Sequence, residues 1–405
     1  MNTPLAWKNL VHNKVRTAVA LAGVGFAVIL IFMQLGFLGA VRKTATQIFD
    51  ALEFDLMLRS PAYLHLTEPR SFPRERVFQA ASLPEVQQAQ PFYLGLSEWQ
   101  APQPDDALPG EWSGDWRGII TMGVDPNDPP FIPADLRAKS SKLTDPRFVL
   151  IDSKSKAEFG PKDGVRFGAE DIGVETALGG SRVRIVDVVE LGTGLAANGA
   201  CVANYEGFAR ACPWQPLDET NLGLITLTAG ADPEAVKARM QSLLGAPTTD
   251  ARPSSQPADV EVLTRADVTK REEYRWVVQT PMGKIFNFGV WVALFVGVAI
   301  VYQILSTDIA NMMGEYATLK AMGYPNRYLA TVVLQQSVLL ALVGYVPSVF
   351  ISWALYAFVG ARSGLPMVMT WQIMATVLVL AVFMCVLSGM AALRKLFQAD
   401  PADLF

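Results

Sequence analysis

A loop that cradles nucleotide phosphates needs the pattern G-x-x-x-x-G-K-[S/T], because successive backbone N–H groups must wrap the phosphates while the lysine reaches them. The only Gly-Lys pair, Gly283-Lys284, is followed by Ile285 and has no glycine five residues before it. Gly192, Gly194 and Gly199 follow a segment of strand character, but their spacing is wrong for a dinucleotide loop and the acidic partner is missing, so they read as a flexible turn. The two histidines, His12 and His65, cannot build a common zinc or haem site, and neither sits where a nucleophilic triad would need it. Three cysteines cannot make a disulfide framework. Cys201 and Cys212 could pair in an oxidising compartment, the alternative being two free thiols, and Cys385 reads as a small buried residue in an apolar run. The expectation is a chain that is not an enzyme, with no catalytic, cofactor or metal site of its own. A net charge of −4 gives no support to nucleic-acid binding, which needs a clustered basic face.

What remains is polar chemistry in apolar surroundings. Gln34, Gln303, Gln335 and Gln336 lie in long uncharged stretches, where a side-chain amide facing lipid is costly. Interhelical hydrogen bonds are the plainer explanation for them and substrate contact the sharper one. No run carries an acid or base near its centre, so a proton relay is not expected.

The elements holding these residues follow from composition: 51% hydrophobic against 18% charged residues is far from an ordinary soluble chain. The apolar excess is concentrated in Thr17–Val41, Ile285–Ser306, Leu329–Val359 and Trp371–Leu393. Each is long enough for the roughly 20 helical residues that cross a hydrocarbon core about 30 Å thick. The third run exceeds one straight crossing, and a bend is expected near Pro347. The first is too long for a secretory signal core and reads as a retained helix. Lys8, Lys14 and Arg16, then Lys320 and Arg327, then Arg394 and Lys395 mark one side as cytoplasmic, against Arg42, Lys43, Lys284 and Arg362 on the other.

The expected organisation is therefore a cytoplasmic segment 1–16, a first membrane helix 17–41, an external domain 42–284, a second helix 285–306, a cytoplasmic loop 307–328, a third helix 329–359, a short external loop 360–370, a fourth helix 371–393 and a cytoplasmic tail 394–405, with both termini inside.

Within 42–284, Phe54 to Arg59, Pro73 to Ser82 and Val86 to Trp99 read as strand, helix and strand. The series recurs as Leu222 to Thr228, Asp232 to Leu244 and Val260 to Leu263. Two such units can interleave into one split β-α-β sheet. Residues of about 112 to 210, with strands Trp116 to Val124, Phe148 to Asp152 and Ser181 to Leu191, would form an inserted β-rich lobe. The fold class is thus an α-helical membrane protein with four transmembrane helices and an α+β extracytoplasmic domain between the first two. Thr264 to Gln279 has helical composition and forms either a stalk into the second membrane helix or a surface helix that stops before Pro281.

One stretch carries more information than the rest. Glu315-Tyr316-Ala317-Thr318-Leu319-Lys320-Ala321-Met322-Gly323 places an acid, then a base, then Ala, an apolar residue and Gly on one short helix. Glu315, Leu319 and Met322 fall near one face, Lys320 and Gly323 near another, and Gly323-Tyr324-Pro325 supplies a stop, giving an amphipathic element suited to a protein groove. This stretch resembles the cytoplasmic loop of FtsX/MacB-type permeases. Together with Val301-Tyr-Gln-Ile-Leu305, Met33-Gln-Leu-Gly-Phe37 and Ala399-Asp-Pro-Ala-Asp-Leu-Phe405 it is similar to the DevC branch of that superfamily, nearly end to end, with the segment between about 100 and 145 contributing little.

The resemblance implies a homodimer of four-helix subunits in the lipid bilayer of a bacterial inner membrane, with the domain 42–284 and the loop 360–370 periplasmic, seated on a separate DevA-like ABC ATPase that uses ATP and Mg. It also implies a DevB-like periplasmic membrane-fusion adaptor continuing to a TolC-like outer-membrane channel. The function it implies is export of a glycolipid or other envelope lipid, with Glu315, Tyr316, Leu319, Lys320, Ala321, Met322 and Gly323 docking on the ATPase. The alternative is FtsX-like transmembrane signalling to a periplasmic enzyme.

Overall fold

The computed structural model describes residues 14–102, 115–192, 197–245, 259–315, 318, 322–363 and 365–398. The chain divides into two units, a helical one made of residues 1–41 and 277–405 and a sheet-rich one made of residues 42–276.

The helical unit contains most of α1 (Lys14–Ala51) together with α7 (Pro281–Asn311), α8 (Asn326–Ser363) and α9 (Trp371–Gln398). Among the described residues, four helices are long and apolar enough to cross a membrane, with spans Thr17–Ala51, Pro281–Asn311, Arg327–Ser363 and Trp371–Leu393. The helices outrun the apolar runs because an apolar count stops at the first charge, whereas a helix continues as long as one face stays buried. Beyond the expected end of the first span, Arg42 and Lys43 are exposed while Ala45, Ile48 and Phe49 are buried at helical spacing. The helix α8 runs on through Pro347, and in the same turn the Ser348 hydroxyl donates to the Gly344 carbonyl at 2.7 Å.

Without a hydrophobic drive between helices in lipid, hydroxyl-to-backbone bonds and close packing join them. Ser388 of α9 donates to the Val298 carbonyl of α7 at 2.9 Å, and Tyr345 of α8 to the Met374 carbonyl of α9 at 2.8 Å. Tyr356 of α8 donates to the Phe32 carbonyl of α1.

In the sheet-rich unit the two β-α-β series interleave. The first is β1 (Leu56–Arg59), α2 (Glu75–Ala80) and β3 (Val86–Gln100), with a two-residue β2 (Phe72–Pro73) on the way. The second is β10 (Leu222–Leu227), α5 (Pro233–Leu244) and β11 (Glu261–Thr264), with β9 (Glu219–Thr220) pairing β2 just before it. The spatial order is β11-β1-β10-β3, all antiparallel, so each series straddles a strand of the other. Asp232 caps α5 by accepting from the Glu234 N–H, and Pro233 occupies the first helical position, as the Asp-Pro pair in the sequence requires.

The inserted segment is rich in strands, and its sheet is continuous with the interleaved one through β3. It supplies β4 (Trp116–Val124), α3 (Ala134–Ser140), β5 (Phe148–Asp152), β6 (Glu175–Leu178), β7 (Ser181–Val189), β8 (Ala200–Asn204) and α4 (Tyr205–Ala211). Among the described residues these strands extend the same sheet to nine, in the order β11-β1-β10-β3-β4-β8-β5-β7-β6. The physical reason is the length of β3: residues 86–92 pair with β10 and residues 93–100 with β4. The tip of β3 also pairs with β6, Trp99 opposite Leu178, which closes β3, β4, β8, β5, β7 and β6 into a ring of hydrogen-bonded strands.

Strand alternation then sorts the residues onto two faces. Trp99, Ile119, Val149, Ile151, Ile185, Cys201 and Ala203 share one core with Phe208 and Cys212 from α4 and the residue after it. Leu94, Ile120, Met122, Leu150 and Val202, one residue out of phase, pack into a second core that receives Ile48 and Phe49 of α1.

At Gly123 the strand passes so close to α4 that a Cβ would stand 2.8 Å from the Phe208 Cβ. Gly123→Val is therefore expected to cost about 2 kcal/mol through overpacking. Denaturant unfolding of the full chain in detergent, followed by tryptophan fluorescence, checks this; an unchanged midpoint would contradict the packing described.

Candidate coupling site

The stretch singled out in the sequence lies between α7 and α8. Tyr316, Leu319, Lys320 and Ala321 fall outside the described residues. Around them, the Glu315 N–H donates to the Met312 carbonyl at 3.1 Å, and the Met322 N–H to the Thr318 carbonyl at 3.0 Å, a helical bond. Gly323 has φ of +89°, the left-handed conformation that terminates a helix and that glycine adopts without steric cost. Glu315 is exposed, and Met322 is 63% exposed, a large apolar side chain facing outward one residue before the stop.

The four glutamines fall in three different surroundings. Gln336 is buried. Gln34 is half-buried against α7, where Gly289 leaves room for its amide: a Cβ there would stand 2.8 Å from Nε2. Gln303 and Gln335 are exposed on the outside of the helical unit. Cys201 and Cys212 are both buried free thiols of one core, and burial pushes each thiol up to about 12. The Thr121 hydroxyl lies 3.4 Å from the Cys201 Sγ. Gly192, expected in a flexible turn, is held instead: with φ of +74° it presents its N–H to the Asp152 carboxylate at 2.8 Å, and the Leu191 N–H joins at 3.0 Å. Gln47 of α1 donates to the Leu191 carbonyl at 3.0 Å, tying that turn to the helix end.

Sequence reasoning missed the residue that joins the first and last segments of the sheet-rich unit. Arg265 opens α6 (Arg265–Tyr274), whose N-terminus is closed by a reciprocal capping box between Thr264 and Asp267. Its guanidinium donates to the carbonyls of Phe49 at 3.2 Å, Phe54 at 3.1 Å and Leu52, and lies 4.2 Å over the Phe54 ring. These carbonyls belong to the last turn of α1 and the bend after it, where a helix has acceptors without donors. The box T-x-x-D was legible; partners more than two hundred positions away in the chain were not. Beyond α6 the helix loosens into a π-helical segment, Arg275–Gln279, and stops. Thr280 is extended and caps α7 through the Gly283 N–H, so the continuous form of the stalk is absent and the helix is interrupted just before Pro281.

Four long apolar helices and a sheet-rich domain inserted after the first define a membrane protein with a large domain outside the bilayer. Residues 287–401, which include most of the last three of these helices, match the family described as FtsX-like permease C-terminal. No curated protein matches the chain. Among solved structures, the periplasmic region of MacB from Actinobacillus actinomycetemcomitans is 8% identical and covers 56% of this chain and 95% of its own, with a TM-score of 0.34. The extracellular domain of the noncanonic ABC-type transporter YknZ from Gram-positive bacteria is 11% identical and covers 52% and 99%, with a TM-score of 0.32.

Removing the Arg265 guanidinium takes a donor from the Leu52 and Phe54 carbonyls and leaves the Phe49 carbonyl only the Leu52 N–H at 3.2 Å, so Arg265→Ala is expected to lose about 2 kcal/mol, and Arg265→Lys more than half of that because one ammonium cannot span three carbonyls. Denaturant midpoints of the variants measure this, and a lysine variant equal to the wild type would contradict it.

Proposed function

We propose that the chain is the membrane-spanning permease subunit of an ABC-type export complex, with ATP and Mg handled by a separate ATPase. The observation that carries this reading is the FtsX-like permease match over residues 287–401, which encloses the short segment between α7 and α8 with exposed Met322 and left-handed Gly323. An apolar side chain held outward at a defined helix stop fits a groove on a partner protein better than a free loop. On this reading, Glu315 to Gly323 dock on the ATPase, both termini are cytoplasmic, and the sheet-rich unit lies in the periplasm. A second copy of the chain completes the membrane part, since the exposed amides of Gln303 and Gln335 are costly against lipid and gain partners in a homodimer. Sequence similarity to DevC permeases suggests an adaptor leading to an outer-membrane channel and a glycolipid or other envelope lipid as cargo.

Purification of the tagged protein in mild detergent, with mass spectrometry of what stays bound, tests the assignment. An ABC ATPase together with a membrane-fusion adaptor supports export. An ATPase with a cell-wall hydrolase supports transmembrane signalling instead, and recovery without any ATPase overturns the subunit assignment.

Met322→Glu sits on an open surface and is expected to change stability by less than about 0.5 kcal/mol. It should nevertheless detach the ATPase or uncouple its turnover from export. Retention of both in a folded Met322→Glu protein would count against docking at this element.

A further inference from the structure

Where α8 and α9 run beside each other, their outward faces do not close. Val346, Val349 and Phe350 of α8 and Met374, Ala375 and Leu378 of α9 line a groove of about 390 Å³. All six lie inside the two apolar spans. Val346 and Phe350 are exposed, so the groove opens outward. Ala375 carries nothing beyond its Cβ and leaves the space that a larger side chain would fill. The Tyr345 hydroxyl, also in the wall, is already committed to the Met374 carbonyl at 2.8 Å, so the walls offer a ligand no free polar side chain.

One end of the groove differs from the rest. One turn beyond Phe350, Trp353 continues the same face of α8, and one turn before Met374, Trp371 continues the same face of α9. Consecutive helices joined by a short connection run antiparallel, so both indoles stand at the same end, 63% and 71% exposed. Trp371 begins the fourth apolar span, and Thr370 before it accepts the Ile373 N–H at 3.3 Å. That end therefore lies at the margin of the hydrocarbon, the level where tryptophan side chains gather. The helix α8 passes this level before its own end because its 38 residues exceed one crossing.

We propose that this groove binds one acyl chain of a bilayer lipid, with the ester region of that lipid held at Trp353 and Trp371. Apolar walls inside a span select a hydrocarbon, and two indole N–H groups at the polar margin suit ester carbonyls. A helix of a second copy fits less well: one turn, about 10 Å across and 5.4 Å long, fills about 420 Å³, more than the groove holds. The hydrophobic effect adds nothing to the preference, because the chain leaves one apolar medium for another. The gain is packing, since the groove meets the chain on two sides and an open helix face meets it on one. About ten extra atom contacts make occupancy roughly fivefold higher than on such a face. The site rests on the spans and not on the permease reading.

Photolabelling of the full-length protein tests this, in phosphatidylcholine nanodiscs where a small fraction of the lipid carries a diazirine midway along one acyl chain, with the labelled positions mapped by mass spectrometry. Label on 345–350 and 374–378 should exceed label on exposed Leu387 and Met390, which lie at the matching depth in the other half of the α9 span, roughly fivefold. Ala375→Phe fills the groove from a lipid-facing position and should bring the two regions to parity, whereas Thr376→Phe, on another exposed face of α9, should leave the excess intact. Label spread evenly over both regions in the wild type, or an excess that survives Ala375→Phe, overturns the proposal. A groove that stays unlabelled while Leu387 and Met390 are labelled is covered by protein, which overturns it too. Should Ala375→Phe fail to fold, the wild-type ratio decides alone: an excess supports the site and parity rejects it.

Discussion

A helix that ends inside a packed core leaves its last carbonyls without donors, and that constraint organises the sheet-rich unit. The end of α1 enters this unit with Ile48 and Phe49 buried, so water cannot reach the whole of its C-terminus. Arg265 answers it with a guanidinium directed at Phe49, Leu52 and Phe54, a charge that also complements the negative end of the helix dipole. Arg265 is in turn the first residue of α6, fixed by the Thr264–Asp267 capping box. The segments by which the chain enters and leaves the unit are therefore set by one side chain. A short aliphatic cap could satisfy none of these carbonyls, and an ammonium could not reach all three.

The sheet adds a second means of holding that helix end. Because β3 pairs with β10 along one half and β4 along the other, the interleaved β-α-β strands and the closed ring are parts of one hydrogen-bonded body. The ring reaches α1 through Leu191, whose N–H is bound by Asp152 of β5 and whose carbonyl accepts from Gln47. Burial raises the Asp152 carboxyl above the usual carboxylate range, and the N–H groups of Leu191, Lys154 and Gly192, which favour its charged form, offset only part of that.

In the helical unit, specificity cannot come from hydrophobicity, since the surroundings are apolar too. Hydroxyls of Tyr345, Tyr356 and Ser388 reach backbone carbonyls on neighbouring helices, and Gly289 accommodates the Gln34 amide. The polar residues of the runs thus divide into those that join helices within one chain and those, such as Gln303 and Gln335, left on its outside.

Much of the architecture is local and was therefore readable. Four spans follow from uncharged length, β4 and β5 from alternation at the residues where they occur, α5 from Asp232-Pro233, and the helix stop at Gly323 from glycine before Tyr324-Pro325. The spans set by composition came out shorter than the helices, because burial of Ala45, Ile48 and Phe49 is decided by what packs against them. How the inserted strands join the rest was not readable for the same reason: pairing partners along β3 are chosen by tertiary register, which no pattern within fifteen residues encodes. Arg265 looked like any charged residue at a helix start. Its role depends on carbonyls brought from more than two hundred positions away, and on the exclusion of water, which only the assembled fold imposes.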